Sequence, residues 1–247
     1  MNIFSACLSL VGSEMCIRDR DKLVLTGIAD RVDGWLHEGK LYLRVVDYKT
    51  GRKKFDLSDV LYGMNLQMLL YLFSLGENGK LLYGEEIVPA GVLYVPARDG
   101  VISEDGDISD AELEKKRSKG LRRSGLVLSD PEVIRAMEHA DTPKYIPVDF
   151  KKNGPAGDAL VSAERLGTLA RHIDQTLCEM ASELRRGSIA ADPYYAGQQE
   201  NACINCDYFD ACRFADGENG ESMRSTPHLP ATKVWSVLEG GGEDGEV

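Results

Sequence analysis

The 247-residue sequence lacks any apolar run of ~18 residues, the length a helix needs to span a bilayer, so no transmembrane segment is expected. It lacks a Walker A phosphate loop, which excludes a P-loop ATP-driven motor within this stretch. It lacks an internal repeat. No basic residue precedes the mostly apolar residues 3–11, which argues against a secretory signal. Positive charge is also short: 29 Lys and Arg stand against 40 Asp and Glu, a net charge of −11. That balance excludes a broadly basic nucleic-acid surface and leaves only local basic strips for an anionic partner. What is present, 43% hydrophobic residues over this length, is enough for one substantial core in a globular domain.

Two short pieces carry the most chemical information. One is Gly27-Ile28-Ala29-Asp30-Arg31-Val32-Asp33, and the other is Val45-Val46-Asp47-Tyr48-Lys49-Thr50-Gly51. The turn signal Glu38-Gly39-Lys40 lies between them, so the pair reads as a β-hairpin or bent meander. That fold brings Asp30 close to Asp47 and Lys49. Leu41, Leu43, Val45 and Val46 form an apolar β-run that ends in two charged residues, and a core strand ending this way suggests a site. Along a strand, Asp47 and Lys49 share a face while Tyr48 points to the other. Two carboxylates suit Mg²⁺, which takes one or two of them and keeps several waters. The backbone carbonyl of Tyr48 is a further candidate oxygen ligand. Such an ion neutralises a phosphodiester and acidifies a bound water, and Lys49 can orient that water or stabilise the developing charge. The plain alternative is a cross-strand salt bridge of ~0.2–1 kcal/mol.

Ser58 to Leu75 reads as one helix, with Ser58 as N-cap, Asp59 in the first turn and Gly76 as the stop. Gln67 and Tyr71, four apart, share a face. Either they are a core Gln satisfied by a Tyr, or they face the Asp30/Asp47 site and touch the DNA backbone or the metal's waters.

Near the C-terminus, Cys203, Cys206 and Cys212 form C-x2-C-x5-C. Disulfides are rare in cytosolic proteins, so structural zinc, an iron–sulfur cluster and plain buried cysteines are the readings left open. Zinc could take His228 as a fourth ligand. Cys178 lies on a helical face and reads as a core residue.

Together, G-x-x-D-R-x-D, then h-h-D-Y-K-T-G, then Q-x-x-x-Y on the next helix resemble the PD-(D/E)XK nuclease superfamily. More narrowly they resemble the RecB-like nuclease domains at the C-terminus of AddB/RexB-type helicase–nuclease subunits. The resemblance covers about residues 21–214. It implies an α/β, restriction-endonuclease-like core, with a central mixed sheet flanked by helices. It implies a Mg²⁺-dependent deoxyribonuclease, an exonuclease acting in double-strand-break repair by homologous recombination. Asp30, Asp47 and Lys49 are then the catalytic set, followed by Gln67 and Tyr71, with Asp33 in a supporting role beside Arg31 or a neighbouring backbone group. Asp192-Pro193-Tyr194-Tyr195 before the cysteines resembles the context of a [4Fe–4S] cluster whose fourth cysteine comes from far upstream. The implied partners are DNA and an AddA/RexA-type helicase–nuclease subunit in a heterodimer, in the cytoplasm. The family's upstream acidic or histidine motif has no counterpart here. A non-catalytic nuclease-like module and a stand-alone RecB-like nuclease with a cysteine cluster are the rival readings.

The remaining expectations concern organisation. Residues 9–20, SLVGSEMCIRDR, resemble a translated sequencing-adapter sequence, so residues 1–20 read as a non-native leader and Cys7 and Cys16 are not recruited as ligands. The nuclease domain is then 21–214, with its cysteine segment at 203–212. Residues 215–247, with seven acidic and two basic residues, read as a disordered tail. Arg52, Lys53 and Lys54 are the favoured DNA-contacting strip because they adjoin the site, and residues 115–123 are a second. A strand is expected at 89–97, helices at 131–140 and 162–186, and a short edge strand at 145–148.

Overall fold

The computed structural model describes the backbone of residues 2–18, 21–51, 54–97, 109–140, 143–152, 154–218 and 221–240, with side chains from residue 24 onward. In chain order the elements begin with β1 (Asn2–Arg18), β2 (Asp21–His37), β3 (Lys40–Lys49), α1 (Leu57–Leu61), α2 (Gln67–Tyr83) and β4 (Glu86–Pro96). Then come α3 (Asp110–Gly120), β5 (Ser124–Leu128), α4 (Pro131–Glu138), β6 (Asp149–Lys151), β7 (Gly154–Ala156), β8 (Leu160–Val161) and α5 (Ala163–Arg186). The chain ends with β9 (Tyr194–Gly197), β10 (Glu200–Asn201), α6 (Phe209–Cys212), β11 (Arg224–Ser225) and α7 (Ala231–Leu238). Two compact units result: residues 1–56 with 66–171, and residues 57–65 with 172–247.

The first unit is built on a six-stranded mixed sheet ordered β1-β2-β3-β4-β5-β8, in which β3/β4 and β5/β8 are parallel and the other pairs antiparallel. The β2–β3 hairpin forms where the sequence predicts it. Its turn residues Glu38 and Gly39 have φ of 49° and 73°, the left-handed pair that a tight hairpin needs to match strand twist. β3 alternates between Leu41, Leu43 and Val45, all almost fully buried, and the half-buried Tyr42 and Arg44. The centre of β4 is buried at every position from Ala90 to Tyr94, as in a sheet covered on both faces. Leu93 joins Val127, Ile134, Ile146 and Val148 in one apolar cluster, so α4 packs through Ile134 onto one of those faces. Pro131 at its first turn and Asp130, whose carboxylate accepts from the Glu132 and Val133 amides, fix where α4 starts. On the hairpin's other side, α2 buries Met68, Leu69, Leu72, Phe73 and Leu75.

Three expectations in this unit are corrected. The single helix over Ser58–Leu75 is split, because Gly63 and Asn65 take φ of 76° and 53° and end α1 before α2 begins at Gln67. Gly76 does not stop α2, which runs on to Gly84 with its φ of 76°. Residues 145–148 form no strand. Ile146 and Val148 are buried there as irregular chain, with the Lys144, Tyr145 and Ile146 amides all donating to the Glu138 carboxylate.

In the second unit, His172 on α5 lies within hydrogen-bond distance of the Val60 and Leu61 carbonyls. The Ser58 hydroxyl donates to the Leu229 carbonyl and accepts from the Leu229 amide, although Ser58 was expected as a helix cap. The expected disordered tail is ordered in part: α7 forms over Ala231–Leu238 and buries Val234 and Trp235. Composition hid these two apolar residues among the acids and glycines. Residues 241–247 lie outside the described residues. Cys178, expected in the core, is half-buried and disulfide-bonded.

Candidate active site

Asp30, Asp47 and Lys49 meet at one end of the hairpin. The β2/β3 ladder closes with Arg31 opposite Val46, and the next residues along the two strands are Asp30 and Asp47. The Tyr48 amide donates to Asp30 Oδ2 at 3.1 Å, which holds the exposed Asp30 carboxylate against β3. Where β1 meets this part of β2, Ala6 opposes Val32 but Leu8 opposes Ala29, so two steps on β1 face three on β2. A bulge of this kind re-aims a side chain, and here the extra residue falls in the segment that carries Asp30.

Lys49 Nζ is 2.5 Å from Asp47 Oδ2. That contact lies off the direction of a hydrogen bond, and Oδ2 is buried with no hydrogen-bond partner among the described residues. A buried carboxylate oxygen is normally satisfied. This oxygen has a cation beside it and accepts no hydrogen bond, which leaves its lone pairs open to a metal ion. The ammonium also sits 5.4 Å from the Tyr94 ring centroid, on the strand beside it. Tyr48 points the other way, as alternation requires, and its hydroxyl accepts from Arg31.

α2 brings the next two residues. Gln67 is exposed and donates from Nε2 to the Tyr71 hydroxyl at 3.0 Å, so the reading of Gln67 as a satisfied core residue does not hold. Tyr71 lies against β2 at Gly27: a Cβ there would come within 2.4 Å of the hydroxyl and 2.6 Å of the ring. Gly27, three residues before Asp30, is therefore the opening that admits Tyr71 to the strand, a role the motif did not reveal.

Asp33 serves differently. It is buried, Arg31 Nε donates to one oxygen at 2.6 Å and Arg44 Nε to the other at 2.8 Å. The expected pairing with Arg31 is present, and Arg44 was missed. It stands opposite Asp33 in the ladder, so only the register reveals it. The bond from Arg31 to Asp33, followed by its bond to the Tyr48 hydroxyl, holds the Arg31 guanidinium well above its ordinary pKa.

Of the basic strips, Lys54 is exposed, while Arg52 and Lys53 lie outside the described residues. The strip 115–123 divides. Lys115, Lys116, Arg117 and Lys119 are exposed on α3, which buries nothing, whereas Arg123 is half-buried. The fit of Mg²⁺ to Asp30 and Asp47 rests on donor chemistry: two carboxylates, one with an oxygen that accepts no hydrogen bond. The cysteines fare otherwise. Cys203, Cys206 and Cys212 are free thiols in a turn-rich segment, the last two exposed. Among the described residues no three His, Cys, Asp or Glu side chains gather as a metal site. His228, the candidate fourth zinc ligand, instead pairs with Glu200 at 2.9 Å.

A sequence profile of the PD-(D/E)XK nuclease superfamily matches residues 4–213. The chain belongs to the PD-(D/E)XK nuclease superfamily. Within it, the chain is 34% identical over 226 residues to an ATP-dependent helicase/deoxyribonuclease subunit from Clostridium acetobutylicum, covering 90% of this chain and 20% of that protein. It is 34% identical over 233 residues to the protein of the same name from Caldanaerobacter subterraneus subsp. tengcongensis, covering 92% and 20%. It is 32% identical over 230 residues to that of Thermoanaerobacter sp., again covering 92% and 20%. The chain thus spans about a fifth of the length of the relatives it matches. The superfamily match opens at residue 4, inside the stretch that reads as foreign from sequence. No helix among the described residues is long and apolar enough to cross a membrane.

Proposed function

We propose that this nuclease-superfamily chain hydrolyses DNA phosphodiesters with Mg²⁺ held by Asp30, Asp47 and the Tyr48 carbonyl. The observation that carries the reading is Asp47 Oδ2, buried beside an ammonium and without a hydrogen bond among the described residues. A bound divalent ion supplies charge neutralisation at the phosphate and a water of lowered pKa. Asp47 anchors the site from the end of a core strand, and Asp30 faces it from the partner strand, fixed by the Tyr48 amide. Lys49, on the same face as Asp47, orients the attacking water and meets the charge that develops on the phosphate. Gln67 and the Tyr71 it is bonded to, the latter seated at Gly27, hold the DNA backbone. Lys54, with Arg52 and Lys53, extends the path for the anionic strand past the catalytic lysine.

The relatives' names support a place in a helicase–deoxyribonuclease of more than one subunit, and the resemblance of the motifs implies the rest of that setting. In it the chain is the exonuclease domain of a heterodimeric, cytoplasmic helicase–nuclease with an AddA/RexA-type partner, acting in double-strand-break repair by homologous recombination. The test is made in the full-length complex. Asp47→Ala or Lys49→Ala should abolish cleavage of one DNA strand and leave unwinding intact. Undiminished cleavage of both strands removes the catalytic assignment and leaves a non-catalytic, DNA-binding module.

A further inference from the structure

The opposite side of the hairpin holds a cavity of about 550 Å³ that the catalytic reading does not use. Arg44 lines it and donates to the Met137 carbonyl at 3.1 Å, so this face looks toward α4 while Asp47 and Lys49, at odd positions of β3, look away. The volume lies in the range of small-molecule sites. Three guanidinium groups, Arg31, Arg44 and Arg123, face two carboxylates, Asp33 and Glu138. Asp33 is shared between Arg31 and Arg44. Glu138 is engaged by three backbone amides. Lys144 at the rim is paired outward with Glu114 at 3.2 Å.

Arg123 is left over. Its one ion-pair partner among the described residues is Glu138 at 3.9 Å, and its guanidinium makes no hydrogen bond among them. Burial, with the like charges of Arg44 and Arg31, lowers its pKa. A half-buried guanidinium with unused donors is suited to a bidentate oxyanion. The cavity is also lined by two aromatic residues, Trp35 and Tyr42, whose rings sit 5.4 Å apart at 37°. A flat ring and a phosphate on one ligand answer both features.

We propose that this cavity binds a mononucleotide, with its phosphate on Arg123 in the field of Arg44 and its base against Trp35 and Tyr42. The site is independent of the catalytic reading, because it lies on the other face and needs no metal. A 5′-mononucleotide is also the smallest product a deoxyribonuclease releases.

The experiment is isothermal titration of the whole chain in EDTA with 5′-dAMP, inorganic phosphate and deoxyadenosine. dAMP should bind, with phosphate and deoxyadenosine each about tenfold weaker or more. Arg123→Met and Trp35→Ala should each weaken dAMP about tenfold, and Asp47→Ala should leave its affinity unchanged. No dAMP binding, phosphate binding as tight as dAMP, or loss of binding in Asp47→Ala with Arg123→Met unaffected would each overturn the proposal. The ligand series uses the unmutated chain, so it decides the matter even if a variant fails to fold.

Discussion

Asp47 and Asp33 lie on facing strands of one hairpin, each within reach of a cation, yet they are served in opposite ways. Asp33 has a guanidinium on each oxygen, both bonds short, and is buried. Asp47 has an ammonium at 2.5 Å and an Oδ2 that no hydrogen bond among the described residues satisfies. The first arrangement is complete and has nothing to offer a ligand. The second has a cation beside it but no hydrogen bond, which leaves the oxygen open to a metal ion. Strand alternation produces the difference: Arg44 stands across from Asp33 on the α4 side, while Asp47 opens on the other face at the strand's end.

The contrast can be broken most forcefully through stability. Asp33→Ala leaves Arg44, whose side chain is 11% exposed, as an uncompensated buried charge. Removing one partner of such a pair costs about 3–5 kcal/mol, and the lower end applies because Arg31 is 40% exposed and rehydrates. Asp47→Ala should cost less than Asp33→Ala, since the Lys49 it leaves behind is 28% exposed and rehydrates. Urea melts of the two variants check this. Equal losses would mean that Asp47 is as structural as Asp33.

A smaller effect is expected from the helix side. Gly27→Ala forces a Cβ into the Tyr71 ring, and moving that ring off β2 should cost about 1 kcal/mol. Cleavage should fall several-fold while metal binding holds, because Tyr71 is placed on DNA and not on the ion. Full activity in Gly27→Ala would detach Tyr71 from the site.

Much of this site was legible in the sequence because its parts are local. Asp47 and Lys49 are two apart at the end of an apolar strand, Asp30 lies across a short hairpin, and Gln67 and Tyr71 are one helical turn apart. What stayed hidden depends on register and on distant segments. Arg44 meets Asp33 only once the ladder is known. Arg123 reads as the end of a basic run, yet it turns inward beneath the α4–β6 connection. The split at Gly63 and Asn65 was hidden by an apolar pattern that runs on through the break. The helix Ala231–Leu238 was hidden by the acids and glycines around it.

The central claim is that Asp47 holds the metal and Asp33 does not. Calorimetric titration of Mn²⁺ into the unmutated chain, Asp47→Ala and Asp33→Asn tests it most directly. Binding is expected in the unmutated chain and in Asp33→Asn, with its loss in Asp47→Ala. Binding that survives Asp47→Ala, or disappears only in Asp33→Asn, would contradict the claim.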